Sequence, residues 1–169
     1  MWASALGVML ISGVVAPEVA APKKSGEFFT RLLQLTNEVR EKEGLPKVAL
    51  DFRLMCSAQW LARDMAANNY FDHKDSLGRT MRYRLEAFHA RFSRASENIS
   101  AGQKTPEEVF EAWMNSPSHK RNILNPEVTL MGLGVALNPA STYKIYWVMD
   151  FRKPAPSELS CLPFADRTF

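Results

Sequence analysis

LMGLGVALNPASTYKIYWVMDF, residues 130–151, holds two alternating runs, Leu130 to Leu137 and Tyr143 to Phe151. Alternation sends successive side chains to opposite faces of a strand, so Ile145, Trp147, Met149 and Phe151 share one face while Tyr146, Val148 and Asp150 share the other. Between the runs, Asn138, Pro139, Ala140, Ser141 and Thr142 are turn formers. The segment therefore reads as a hairpin of two closing strands.

What precedes the hairpin is mainly helical. Ser116 followed by Pro117 starts a short helix that ends at Asn125 and Pro126, with Ser116 as its N-cap. Thr105, Pro106 and Glu108 form a capping box with proline at the first helical position, which predicts a helix to about Asn115. Phe92 to Ser100 reads as a strand, Leu77 to Phe88 as a shorter helix and Tyr70 to Ser76 as loop. Further back, Asp51 is an N-cap for a helix whose apolar positions Leu54, Ala58, Leu61, Ala62 and Met65 fall on one face. Phe28, Leu32, Leu35 and Val39 show the same spacing between Glu27 and Glu43, and Gly44, Leu45 and Pro46 end that helix. Helices early and in the middle with antiparallel strands late predict a layered α+β domain, not a doubly wound sheet.

At 169 residues with 46% hydrophobic side chains, the chain has material for one real core. Lys and Arg number 21 against 18 Asp and Glu, and no basic run concentrates the formal charge of +3. Nucleic acid, which calls for clustered cations, is therefore not the expected partner.

Trp2 to Val15 is almost wholly uncharged and is followed by Ala16, Ala20 and Ala21. It reads as an export signal's apolar region, short for a membrane span, with an uncut interfacial anchor as the alternative. The expected organisation is a leader over 1–21, a linker over 22–26, a domain over 27–152 and a tail over 153–169, with the protein secreted or periplasmic. Cys56 and Cys161 fit neither a metal knuckle nor a disulfide framework. The expected reading is two unpaired thiols, with Cys56 a small buried side chain; one bridge between them, open to an exported chain, is the alternative.

Four segments in this order resemble the bacterial branch of the CAP superfamily, the cysteine-rich secretory, antigen 5 and pathogenesis-related 1 proteins. They are Asn69-Tyr70-Phe71-Asp72-His73; Glu97-Asn98-Ile99; the run from Ala112 to His119 with Asn122-Ile123-Leu124; and Tyr146 to Phe151. The resemblance covers about Glu27 to Phe151 and implies a three-layer α/β/α sandwich around a small, mainly antiparallel sheet. It also implies a cleft lined by histidines and glutamates, for which the matching residues are His73, Glu97 and His119. The family's second glutamate has no match, since Met114, Asn115 and Ser116 follow Trp113.

Two imidazoles and a carboxylate at one point can hold zinc or another divalent metal with open positions, transfer protons, or simply tie loops together. At the third helical position after Ser116, His119 faces the positive end of the helix dipole, which disfavours the imidazolium and leaves a lone pair for a ligand. Asn98 and Asn122 flank the cleft residues and are expected to hold loop backbone. Ser116, as a cap, is a poor nucleophile. His89 reads as a surface residue, and Trp113 and Trp147 as core.

The expected function is a secreted, non-enzymatic binding module whose cleft takes a divalent metal and a small apolar or envelope-derived ligand or partner. The alternatives are a metal-dependent hydrolase acting on peptide or cell-envelope substrates and an anchored structural or adhesive envelope protein.

Overall fold

The computed structural model describes residues 25–159. The leader, most of the linker and Cys161 lie outside them. The first helix, α1 (Ser25–Lys42), begins inside the expected linker and is followed by a short strand, β1 (Ala49–Leu50). Then come α2 (Phe52–Asn68), α3 (Met81–Ala87) and β2 (Phe92–Ala101). The middle helices are α4 (Pro106–Met114) and α5 (Pro117–Ile123), and the chain closes with β3 (Leu130–Leu137), β4 (Ile145–Pro154) and α6 (Pro156–Leu159). The strand order is β1-β3-β4-β2, antiparallel except that β1 runs parallel to β3.

The alternation of β3 and β4 builds two cores. Met131, Leu133, Val135, Trp147, Met149 and Phe151 turn to one face, where Leu32 of α1, Val109 and Trp113 of α4 and Ile123 of α5 cover them. Ala136, Tyr146 and Val148 turn to the other, together with Ile99, under Ala58, Leu61, Ala62 and Met65 of α2. Each large apolar side chain so buried contributes about 1.5–3 kcal/mol. The result is a three-layer α/β/α sandwich.

Caps set the helix starts. Asp51 Oδ1 accepts from the amides of Arg53 at 2.9 Å and Leu54 at 3.1 Å, and its other oxygen pairs with Arg152 at 2.6 Å. Thr105 Oγ1 accepts from the Glu108 amide at 3.2 Å. Arg40, wholly buried, ties three segments together. It donates to the carbonyls of Pro46, Ile123, Asn125 and Val128 at 2.8–3.1 Å, so these buried acceptors are satisfied without water.

Several expectations shift. Helix α3 starts at Met81, not Leu77, because Asp75 Oδ1 accepts from the amides of Leu77 at 3.1 Å and Arg79 at 2.9 Å, and Gly78 turns at φ 77°. Strand β4 runs on through Lys153 to Pro154, into what was expected to be tail. Ser116 precedes α5, but its hydroxyl meets Ser118 Oγ at 3.2 Å and caps no amide. Cys56 is partly buried, not fully buried as expected.

Candidate functional site

Strand β2 is an edge of the sheet, and the candidate cleft lies along it. The outward carbonyl of Ile99 accepts from the Trp113 indole at 3.2 Å, and that of Glu97 from Asn122 Nδ2 at 3.5 Å, so α4 and α5 are fastened to the edge by side chains. Asn122 Nδ2 also donates to Asn98 Oδ1 at 2.8 Å, and Asn98 Nδ2 donates to the His119 carbonyl at 3.1 Å. Through this relay α5 presents His119 from one helical layer. His73 arrives from the other, on the loop after α2.

His73 and His119 line one cavity of 530 Å³ whose walls include Phe71, Ile99, Ala101 and Tyr143. Phe71 and Tyr143 are in ring contact at 5.9 Å. Glu97 does not face this space. Its side chain is 3% exposed, against 56% for His73, and sits behind the imidazole. Glu97 Oε1 lies 2.8 Å from His73 Nδ1, while Glu97 Oε2 accepts from Arg84 Nη2. The same guanidinium donates to the His73 carbonyl at 3.1 Å, so Arg84 holds both members of the pair.

Beneath them lies a second carboxyl. Antiparallel pairing sets Asp150 of β4 directly opposite Glu97. Asp150 is wholly buried, beside Ser57 and Glu97. Burial, and next the charge of Glu97, push its carboxyl well above the usual carboxylate range. Arg84 and Asp150 were missed by sequence reasoning.

The two imidazoles are tuned apart. The hydrogen bond to Glu97 raises His73 above the ordinary imidazole value. Burial, and then the charge of His73, lowers His119. At a pH between the two, a cationic imidazole faces a neutral one across the cleft.

The expected set of His73, Glu97 and His119 is thus brought to one place but divided in role. Among the described residues no three His, Cys, Asp or Glu side chains are arranged to hold a metal ion. With both Glu97 oxygens engaged, a closed three-ligand zinc site does not fit. The two imidazoles remain on the cavity wall. His89, exposed at a positive φ of 56°, stands apart from the cleft. Trp113 and Trp147 are buried in the core.

The model of the cysteine-rich secretory protein family, CAP, matches residues 33–151. This chain belongs to that family. The CAP chain is 41% identical over 115 residues to the uncharacterized protein YkwD of Bacillus subtilis, covering 68% of itself and 45% of YkwD. It is 36% identical over 105 residues to the uncharacterized membrane protein YlbC of the same organism, covering 62% of itself and 30% of YlbC. It therefore spans less than half the length of these curated relatives. Among solved structures, an outer surface protein of Borrelia burgdorferi superposes with a TM-score of 0.70 at 25% identity, over 81% of this chain and 98% of that one. An extracellular SCP-domain protein of Bacillus anthracis gives a TM-score of 0.67 at 30% identity, over 79% of this chain and 44% of that one. The three-layer sandwich expected from the sequence resemblance is thereby borne out. No helix among the described residues of the CAP chain is long and apolar enough to cross a membrane.

Proposed function

We propose that this CAP chain is a secreted, non-enzymatic binding module whose cleft takes a small ligand with an apolar body and a group that can meet two imidazoles. The observation that carries this reading is the shared 530 Å³ cavity, in which His73 and His119 sit among Phe71, Ile99, Ala101 and Tyr143. Such a cavity suits an envelope-derived ligand. A divalent ion such as zinc would be held by His73 Nε2 and His119, with water or ligand atoms completing its shell, and would anchor an anionic or carbonyl group. The apolar leader and the likeness to an outer surface protein and an extracellular protein support secretion.

The hydrolase reading calls for a carboxylate free to take a proton from water beside the imidazoles. Glu97 is occupied by Arg84 and His73, which favours binding over turnover.

Calorimetric titration with zinc chloride, beside turnover assays on peptide and peptidoglycan pools, tests the proposal. Zinc binding is expected to weaken at least ~10-fold in His119→Ala and to strengthen as pH rises through the His73 titration, because protons compete for the ligand nitrogens. No turnover is expected. Zinc-dependent hydrolysis that disappears in His119→Ala would overturn the non-enzymatic reading.

A further inference from the structure

Residues 70–76, which bring Phe71 and His73 to the cleft, gain little from apolar burial. Phe71 is 45% exposed, and Asp72, His73 and Lys74 are exposed as well. The placement of such a loop has to come from hydrogen bonds.

Asp64, near the end of α2, supplies them at both ends. Its Oδ2 accepts from the Tyr70 hydroxyl at 2.5 Å and from the Ser76 amide at 2.6 Å. Its Oδ1 accepts from the Ser76 hydroxyl at 2.8 Å and from Asn68 Nδ2 at 3.0 Å. One carboxylate thus meets the first and the last residue of the stretch and closes it into a ring. Burial, and next the bond to Asp64, hold the Tyr70 phenol above its ordinary value, so the phenol keeps the proton it donates. Between the two ends, Arg84 holds the His73 carbonyl. Helix α2 is itself fixed on the sheet by Ala58, Leu61, Ala62 and Met65, so the ring is anchored to packed backbone. Asp64 stands outside the cleft, whose walls in this region are Phe71, Asp72 and His73.

We propose that Asp64 is a positioning residue for the cleft: by closing residues 70–76 into a ring it presets Phe71 beside Tyr143 and His73 across from His119, and so sets the cleft's affinity without touching the ligand. The affinity half rests on the cleft being a binding site, as proposed above; the loop half does not. Releasing the ends leaves the loop to be ordered by the ligand, and that ordering is taken from the binding free energy. A loop in the competent arrangement for about a tenth of the time binds ~10-fold more weakly, because apparent affinity scales with the competent fraction.

The test compares the full chain with Asp64→Ala, Asp64→Asn and Tyr70→Phe, by NMR and by titration with zinc chloride. In Asp64→Ala, backbone order parameters at residues 71–74 should fall from about 0.85 to below about 0.6, while those of β4 stay as in the parent. The nuclear Overhauser contact between the Phe71 and Tyr143 rings should be lost, and zinc should bind ~10-fold more weakly. Asp64→Asn, which keeps one acceptor oxygen, should fall between the parent and Asp64→Ala. Tyr70→Phe removes a single hydroxyl, so it carries the same test at smaller amplitude, a ~3-fold loss, should the alanine variant fail to fold.

An unchanged loop in Asp64→Ala would overturn the proposal, and so would a loosened loop in a variant that binds zinc as tightly as the parent. A parent that takes no zinc would instead overturn the binding reading, and the affinity half with it; loop order would still decide whether Asp64 positions His73.

Discussion

Arg84→Met is expected to lower stability by about 3–5 kcal/mol near neutral pH, measured by denaturant unfolding. The guanidinium is wholly buried and is the cation facing Glu97, with Asp150 opposite that carboxylate. Methionine fills similar length but removes the buried guanidinium from Glu97 Oε2, leaving that oxygen unpaired and only His73 beside the carboxylate. A variant as stable as the parent at neutral pH would show that the pair contributes nothing.

Gly134→Ala is expected to cost about 3 kcal/mol, with a fall in Tm of about 10 °C by thermal unfolding. A Cβ at this position would lie 2.3 Å from the carbonyl carbon and oxygen of Ala58, and at Gly132 it would lie 2.2 Å from the carbonyl carbon of Leu54. These obstacles are helix backbone, which cannot swing aside as a side-chain tip can. The two glycines let α2 lie directly on β3. Gly26→Ala is the matched control, because nothing lies within 4 Å of its added carbon. It is expected to be neutral or slightly stabilising, as alanine is the better helix former. Equal losses at Gly26 and Gly134 would contradict the close-approach account.

Local signals were the legible ones. Strand β3 has the bounds its alternation predicts, and the faces of β4 divide Trp147 from Asp150 as the period of two demands. Asp51 and Thr105 cap where their spacing places them, since a cap is a contact within four residues. His73 and His119 were visible only through resemblance to a family, and they do line one cavity.

What the sequence hid depends on long-range register. Asp150 meets Glu97 only because β4 pairs with β2 in one particular alignment, and neither residue announces the other. Arg84 sits in a helix whose other arginine, Arg82, is exposed, so nothing local marks which of the two turns inward. The same holds for Arg40, one cation of an amphipathic helix whose four carbonyl partners are scattered from Pro46 to Val128. Cys56 looked buried because it lies among apolar residues, but it falls between the inward positions Leu54 and Ala58 and points along the outer face. In strand β3, glycines at 132 and 134 carried a signal that pattern reading passed over: a strand interior without side chains marks where another backbone comes close.

Long-range nitrogen NMR of the imidazoles, recorded across a pH titration, tests most directly whether Glu97 orients His73 and leaves its outer nitrogen for the cleft. The account predicts that neutral His73 carries its proton on Nδ1, that it titrates above the ordinary imidazole value, and that His119 titrates below it. Neutral His73 protonated on Nε2, or the two histidines titrating in the reverse order, would contradict it.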